Sequence, residues 1–295
     1  MLKIIEKTWL WFGLSIAVIL AGVVGLAVNG LDYGIDFKGG TIVRIDMKKD
    51  FNKSDVDAII KKYDTDALTN KSVPQGKTAP ELEIKSNTLT GENIANLFKE
   101  IKDKYELKDS DLIDQNTVGA SIGSELKQKA MLALAIATIA MLIYIGIRFE
   151  FNFGAAAIIA LLHDVLITLG VYALFKVPVD SAFIAAMLTV IGYSINDTIV
   201  VFDRIRENQK YMRRNNVTEL ANASITQTMT RSVNTVLTVM ITITAVYIFV
   251  PSVRNFAFPL IIGIASGCYS SIFIASPVWV MLKKRTKRVR AGSAA

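Results

Sequence analysis

Six long stretches with few or no charged side chains divide the chain. Thr8–Leu31, Ala130–Ile147, Ser232–Val253 and Asn255–Leu282 carry none; Phe151–Phe175 holds His163 and Asp164, and Ser181–Phe202 holds Asp197. Crossing roughly 30 Å of hydrocarbon takes about 20 residues at 1.5 Å per residue. Each stretch therefore predicts a membrane-spanning helix. The last contains Pro259 and Pro277 and is long enough to tilt or kink. Lys3 and Lys7 precede the first stretch as in a signal peptide, but the apolar run far exceeds the roughly 7–15 residues of a signal core. It reads as an uncleaved anchor.

Between the first two spans the period changes. Thr41–Met47 alternates, with Val43, Ile45 and Met47 on one face, and predicts a strand. Ser54-Asp55-Val56-Asp57 predicts a helix start, followed by an apolar stripe of Val56, Ile59, Ile60 and Tyr63. Ala67–Val73 is a weaker strand, Pro74-Gln75-Gly76 a turn, and Glu81–Lys85 a further strand. Thr90–Tyr105 places Ile94, Leu97, Phe98, Ile101 and Tyr105 on one helical face, and Asp111–Val118 closes the block as a strand. The order β-α-β-β-α-β predicts a split βαβ, ferredoxin-like unit. The expected fold is thus a polytopic α-helical membrane protein: six transmembrane helices plus one small α+β domain between helices 1 and 2. Its divisions are 1–31 (N-terminus and first span), 32–126 (α+β domain) and 127–290 (five-helix membrane region), with 291–295 a linker. The later spans fall at about 128–147, 154–175, 181–202, 228–250 and 256–282, with a loop at 203–227. Asn216-Val217-Thr218-Glu219 resembles a capping box, which would start the fifth helix near Val217 and place Arg231 inside it.

Composition agrees. Of 295 residues 52% are hydrophobic and 20% charged, with mean hydropathy +0.41, more apolar than a soluble domain. The net charge of +7 invites a nucleic-acid partner, but its distribution opposes one. Residues 30–126 carry 14 basic and 18 acidic side chains, and the remainder 19 basic and 8 acidic. One cysteine, Cys268, excludes a disulfide scaffold, and one histidine, His163, argues against a Cys/His metal site. With six spans both termini share a side. That side collects Lys3, Lys7, Arg148, six basic residues between 203 and 231, and six after Leu282. The positive-inside rule makes it cytoplasmic, so the acidic block 32–126 is expected to face outward.

Small residues recur every fourth position in two spans: Gly13, Ala17, Ala21 and Gly25 in the first, Gly263, Gly267, Ser271 and Ala275 in the sixth. Such stripes let helices approach closely, within the bundle or against another subunit. The intramembrane ionisable residues are the functional signal, because each costs about 2.5–3.5 kcal/mol on insertion scales. Asp197 sits roughly 8 Å, and Asp164 roughly 15 Å or more, from the cytoplasmic end at 1.5 Å per residue. Ser194, Asn196 and Thr198 make the surroundings of Asp197 unusually polar. Arg231 is the natural cation for Asp197 and leads a stripe of Asn234, Thr235, Thr238 and Thr242. An Asp–Arg pair in low dielectric is weakened by protonation, so it can couple proton uptake to helix movement; the plain alternative is a static ion pair. His163 and Asp164 are either a second proton site or polar residues facing the bundle interior. Two buried aspartates also raise an intramembrane protease, which their unequal depths disfavour.

Gly34-Ile35-Asp36-Phe37-Lys38-Gly39-Gly40-Thr41 resembles the signature of the SecD/SecF family of bacterial protein-export subunits, in the RND superfamily. The run from Gly192 to Asn208, containing Tyr193-Ser194-Ile195-Asn196-Asp197-Thr198, is similar to that family's fourth-span motif in its SecF form. Ser224–Thr235, with Arg231, resembles the start of its fifth span. The resemblance covers the chain to about Arg290. It implies a non-enzymatic auxiliary subunit of the Sec machinery that pairs with SecD and works with the SecYEG channel, with YajC a further partner. It would use the proton-motive force, with sodium an alternative coupling ion, to draw preproteins across the inner membrane, and would need no cofactor. It implies proton coupling at Asp197 and Arg231, and Gly34, Asp36, Gly39 and Gly40 as signature positions. A lipid or small-molecule half-transporter and a passive scaffold are the competing readings.

Overall fold

A computed structural model describes residues 2–73, 79–89, 91–212, 216–250 and 253–292. Six helices are long and apolar enough to cross a membrane. In chain order the elements are α1 (Thr8–Asn29), a short α2 (Ile35–Lys38), β1 (Gly40–Asp46), α3 (Lys53–Ile60), β2 (Leu68–Ser72), β3 (Glu81–Ser86), α4 (Gly91–Tyr105) and β4 (Leu112–Val118). Then come α5 (Ala120–Arg148), α6 (Phe151–Phe175), α7 (Ser181–Tyr211), α8 (Val217–Phe249), α9 (Arg254–Ser270) and α10 (Ser276–Gly292). The last two form one span through a π-helical segment, Ser271–Ala275.

The four strands form one antiparallel sheet in the order β2-β3-β1-β4. Val43, Ile45, Leu82 and Ile84 point to one face and bury against Val56, Ile59 and Ile60 of α3 and Ile94, Leu97 and Ile101 of α4. Period two in the strands and period 3.6 in the helices thus meet in one core. The other face carries Arg44, Glu83 and Lys85, with an Arg44–Glu83 pair across strands. It overlooks a cleft of about 690 Å³ against the end of α8 at Phe249, the start of α9 at Arg254 and the start of α7. Asn52, rather than the expected Ser54, caps α3: its side chain accepts from the Ser54 N–H. The turn expected at Pro74-Gln75-Gly76 lies outside the described residues, as does Thr90.

Three helices form the centre of the membrane part. The share buried within the most apolar stretch is 61% for the last span and 44% for α6 and α7, against 6% for α5 and α8. Apolar faces left outside are normal against lipid, so packing must come from close backbone approach and polar contacts. The small residues supply it. A Cβ at Gly22 would lie 2.8 Å from the Gly170 Cα, so α1 and α6 touch backbone to backbone. Gly263 receives Val190 and Gly267 receives Ser194, seating α9 on α7. The sixth-span stripe therefore packs within the chain. The first-span stripe does so only at Gly25: Gly13, Ala17 and Ala21 are exposed, and Ser15 and Gly22 join Gly25 on the packed face.

The loop expected at 203–227 is mostly helix. α7 runs on to Tyr211, with Ile205 and Asn208 buried, and α8 begins at Val217 with Asn216 accepting from the Thr218 N–H. Asn208 donates to Ser224 and Gln227, zipping the two extensions together. Fully buried Asn222 anchors the N-terminus, accepting from the backbone of Ile4 and Ile5 at 3.1 Å and donating to Glu6. α5 likewise starts ten residues before its apolar run, with an external Glu125–Lys129 pair.

Candidate functional site

The signature Gly34–Gly40 is a joint between the α+β domain and α7. Gly34 donates its N–H to the Val179 carbonyl at 2.8 Å, and Val179 donates to the Asp32 carbonyl at 2.7 Å. Phe37 buries among Tyr172, Val179, Phe183 and Met187. Asp36 then accepts from both the N–H (3.0 Å) and the hydroxyl of Ser181, the first residue of α7. Asp180 accepts from the Phe183 N–H and from Asn255 at the start of α9. Two carboxylates thus serve one helix N-terminus, where free N–H groups and the helix dipole favour negative charge. The paired glycines have separate reasons. Gly39 and Gly40 have φ of 80° and 142°, and a Cβ on Gly40 would lie 2.4 Å from the Ser86 carbonyl oxygen.

Asp164 is the hub of the membrane part. It is 0% exposed, and four groups donate to or share a hydrogen bond with its carboxylate. Ser266 Oγ (2.6 Å) and His163 Nδ1 (2.9 Å) reach Oδ1; Ser194 Oγ (2.6 Å) and Ser270 Oγ (2.7 Å) reach Oδ2. A carboxylate in so dry a place persists only with such donors. His163 Nε2 extends the network to Ser15 on α1 at 3.0 Å, and the ring stacks near Tyr269, whose hydroxyl donates to the Trp11 carbonyl. α1, α6, α7 and α9 therefore meet at one acidic group.

Asp197 lies one turn along α7 from Ser194 in a different state of satisfaction. Its Oδ2 is buried with no hydrogen-bond partner, and Ser232 Oγ beside it is likewise unpaired. Ser232 of α8 and Ser271 of the π-helical segment face its carboxylate, and Arg231 acts on it from longer range. Thr198 bonds the Ser271 hydroxyl at 2.8 Å. A π turn at this point swings Ser271 toward α7, in keeping with the tendency of such turns to sit at functional sites.

The expected Asp197–Arg231 ion pair does not form within 4.0 Å among the described residues; Arg231 is exposed on the outer face of α8. Asn234, Thr235, Thr238 and Thr242 are exposed with it. Thr238 and Thr242 donate to carbonyls of their own helix, while Thr235 lines a small cavity against α7 and α9. Asn196 is also exposed. The structure thus gathers His163, Asp164, Ser194 and Thr198 in the interior with Asp197 partly buried beside them, and leaves Arg231 and its stripe at the edge. Ser266, Ser270 and Ser15 were not singled out by sequence. The signal was present in Ser266-Gly267-Cys268-Tyr269-Ser270-Ser271, which puts Ser266 and Ser270 on one face of an apolar span.

Six apolar helices around one buried and one partly buried aspartate, with one α+β domain, define a multi-pass membrane protein with an ionisable interior. Residues 97–285 match the family described as Protein export membrane protein SecD/SecF, C-terminal, and residues 24–50 match the SecD/SecF GG motif. The chain is 40% identical over 97% of its length to Protein translocase subunit SecF of Alicyclobacillus acidocaldarius, covering 94% of that protein. It is 38% identical to Protein translocase subunit SecDF of Bacillus subtilis, matching 95% of this chain but 38% of that longer one. A crystal structure of SecDF, a translocon-associated membrane protein from Thermus thermophilus, superposes with TM-score 0.83 at 32% identity, over 96% of this chain and 39% of that one. The chain belongs to the SecD/SecF family.

Proposed function

We propose that this protein is an auxiliary, non-enzymatic subunit of the Sec export machinery, working in a complex with SecD in the bacterial inner membrane. Proton-motive force would drive it through Asp197. The α+β domain, a ferredoxin-like unit, faces outward and both termini are cytoplasmic, on the strength of the charge asymmetry. The SecYEG channel, the moving preprotein and YajC are its further partners.

The carrying observation is the orphaned Asp197 Oδ2 beside an exposed cationic and polar stripe on α8. An arginine inside a span is costly in hydrocarbon and pairs with protein groups or snorkels to the interface. The bulk of the relatives whose chains continue past this length, among them the SecDF of Bacillus subtilis, offers the natural cover: a second half joined to this one. With that half in place, Arg231 is held at the edge of the Asp197 pocket rather than in lipid. Protonating Asp197 then removes the charge that attracts Arg231, and the α7–α8 contact loosens. The two-aspartate protease reading finds no support, since both Asp164 oxygens are filled by internal donors and leave no face for a peptide bond.

The test is translocation into vesicles with and without a proton gradient, using Asp197→Asn paired with SecD. Gradient-dependent stimulation is expected to disappear. Wild-type stimulation would reject coupling at Asp197 and favour a scaffold role.

A further inference from the structure

Beside Asp197, at the junction of α7, α8 and α9, lies a cavity of about 20 Å³. Ser194, Asp197, Thr235, Gly267 and Cys268 contribute to its wall. A water needs roughly 10–15 Å³ by the same measure and two or more polar partners. Asp197 contributes an oxygen that is buried and unpaired. Ser194 contributes a hydroxyl that already donates to Asp164 at 2.6 Å and so keeps its lone pairs free to accept.

We propose that one water occupies this cavity and completes a proton relay, Asp197–water–Ser194–Asp164, through which a proton taken up at Asp197 passes transiently to Asp164. The proposal rests on Asp197 being the coupling carboxylate. The transfer balances atom by atom. Protonated Asp197 gives its proton to the water, the water gives one to Ser194 Oγ, and Ser194 gives its own to Asp164 Oδ2. Each intermediate oxygen gains one proton and loses one. Negative charge moves from Asp164 to Asp197, and nothing else changes.

The consequence is mechanical. Asp164 holds α6, α7 and α9 through charge-assisted bonds from Ser194, Ser266 and Ser270. Such bonds are roughly twice as strong as neutral ones. A proton that arrives on Asp164 weakens the three together, whereas a proton that stayed on Asp197 would touch only its contacts with Ser232 and Ser271. The other titratable or charged groups around the pair are His163 on α6, Tyr193 on α7, Arg231 on α8, and Cys268 and Tyr269 on α9. His163 Nδ1, at 2.9 Å from Asp164 Oδ1, is the only one of these bonded to either carboxylate among the described residues.

The test is time-resolved infrared spectroscopy of the full chain with SecD in lipid nanodiscs, following the carboxylic C=O band after a pH jump. Two successive bands are expected in the wild type, the first from Asp197 and the second from Asp164; in Asp164→Asn the proton stops at Asp197 and the second band is lost. Ser194→Ala keeps both carboxylates and the Cβ but breaks the chain, and slows the rise of the second band at least tenfold. Ser266→Ala removes an Asp164 hydroxyl outside the relay and slows that rise less than Ser194→Ala does. A second band that survives Asp164→Asn, an unaltered rate in Ser194→Ala, or equal slowing in Ser266→Ala would each overturn the relay. If Asp164→Asn fails to fold, the two serine variants decide alone. The measurement reads proton transfer without export, so it can fail while the Asp197→Asn export test succeeds, and the reverse.

Discussion

Gly263→Ala tests whether α9 is held against α7 as tightly as the structure places it. The added Cβ would lie 2.3 Å from Val190 Cγ2, 2.5 Å from Cγ1 and 3.0 Å from Cβ. Real Cβ atoms do not approach carbon that closely, so something must shift. Valine cannot simply swing away, because a β-branched side chain in a helix is confined to one favoured χ1 rotamer. Val190 is fully buried, and its neighbours Ala186, Leu260 and Ile264 fill the space around it. The two helices must therefore separate, and overpacking of this kind costs about 1–3 kcal/mol. One turn further along, Gly267 receives Ser194, so the same displacement pulls Ser194 and Ser270 off Asp164. The assay is thermal unfolding of the SecD complex in detergent, with Val190→Ala and the double variant alongside. Val190→Ala deletes both clashing methyls, so the double variant is expected to recover most of the loss beyond the cost of the cavity alone. An unchanged midpoint in Gly263→Ala, or additive losses in the double variant, would refute the close contact.

Asp36→Ala removes the second carboxylate from the α7 N-terminus; loss of about 0.5–2 kcal/mol of local stability is expected, read as faster amide exchange at 181–184 with β1 and β3 unaffected. Asp64 gives a pH dependence in the α+β domain. Burial would raise its carboxyl, but the Ser86 hydroxyl, the Asp66 N–H and Thr88 together outweigh burial and hold it below its ordinary 3.8. Its stabilising effect is complete above 3.8 and is lost as pH falls through the lower folded value, so amide protection at 81–89 in the full chain is expected to fall there, and Asp64→Asn to remove that pH step. Arg231→Lys keeps the charge but loses the planar fork; partial retention of gradient-dependent export is expected, and either full activity or none would show that the fork has another role.

The hydrophobic pattern located every span because lipid imposes a length and forbids charge, and both are visible residue by residue. It misplaced helix ends for the same reason. The apolar run of α7 stops at Phe202, but the helix continues to Tyr211 on water-facing pairs such as Arg204–Glu207, which need no apolar stretch. The two small-residue stripes looked alike in sequence and differ in structure. Gly263 and Gly267 face Val190 and Ser194, while Gly13 faces nothing within 4 Å, because the face of α1 that packs is chosen by α6 rather than by α1 alone. The same limit applies to the site. Asp164 and Asp197 stood out as costly residues, but the hydroxyls that make Asp164 tolerable come from α7 and α9, and only three-dimensional packing brings them to it.

α7 joins these observations physically. Its first residue is held by Asp36 of the signature turn, and its middle carries Ser194 and Asp197. Ser181 and Asp197 are sixteen residues apart on one uninterrupted helix, about 24 Å at 1.5 Å per residue. A helix is stiff over that length, so a change in the Asp164 staple that tilts or slides α7 must also move the carboxylate clamp at its end. The clamp is not free to yield: Gly34 and Val179 bond backbone to backbone beside it, and Phe37 is packed among Tyr172, Phe183 and Met187. Displacement of α7 is thereby transmitted to α2 and β1, which follow one another through Gly39 and Gly40. The two glycines sit where the chain turns from the clamp into the sheet, and their positive φ values would strain other residues. The signature of the family is thus explained in this chain by the geometry of a joint: an acid to hold α7, and two glycines to turn the held segment into the first strand of the domain that α7 would move.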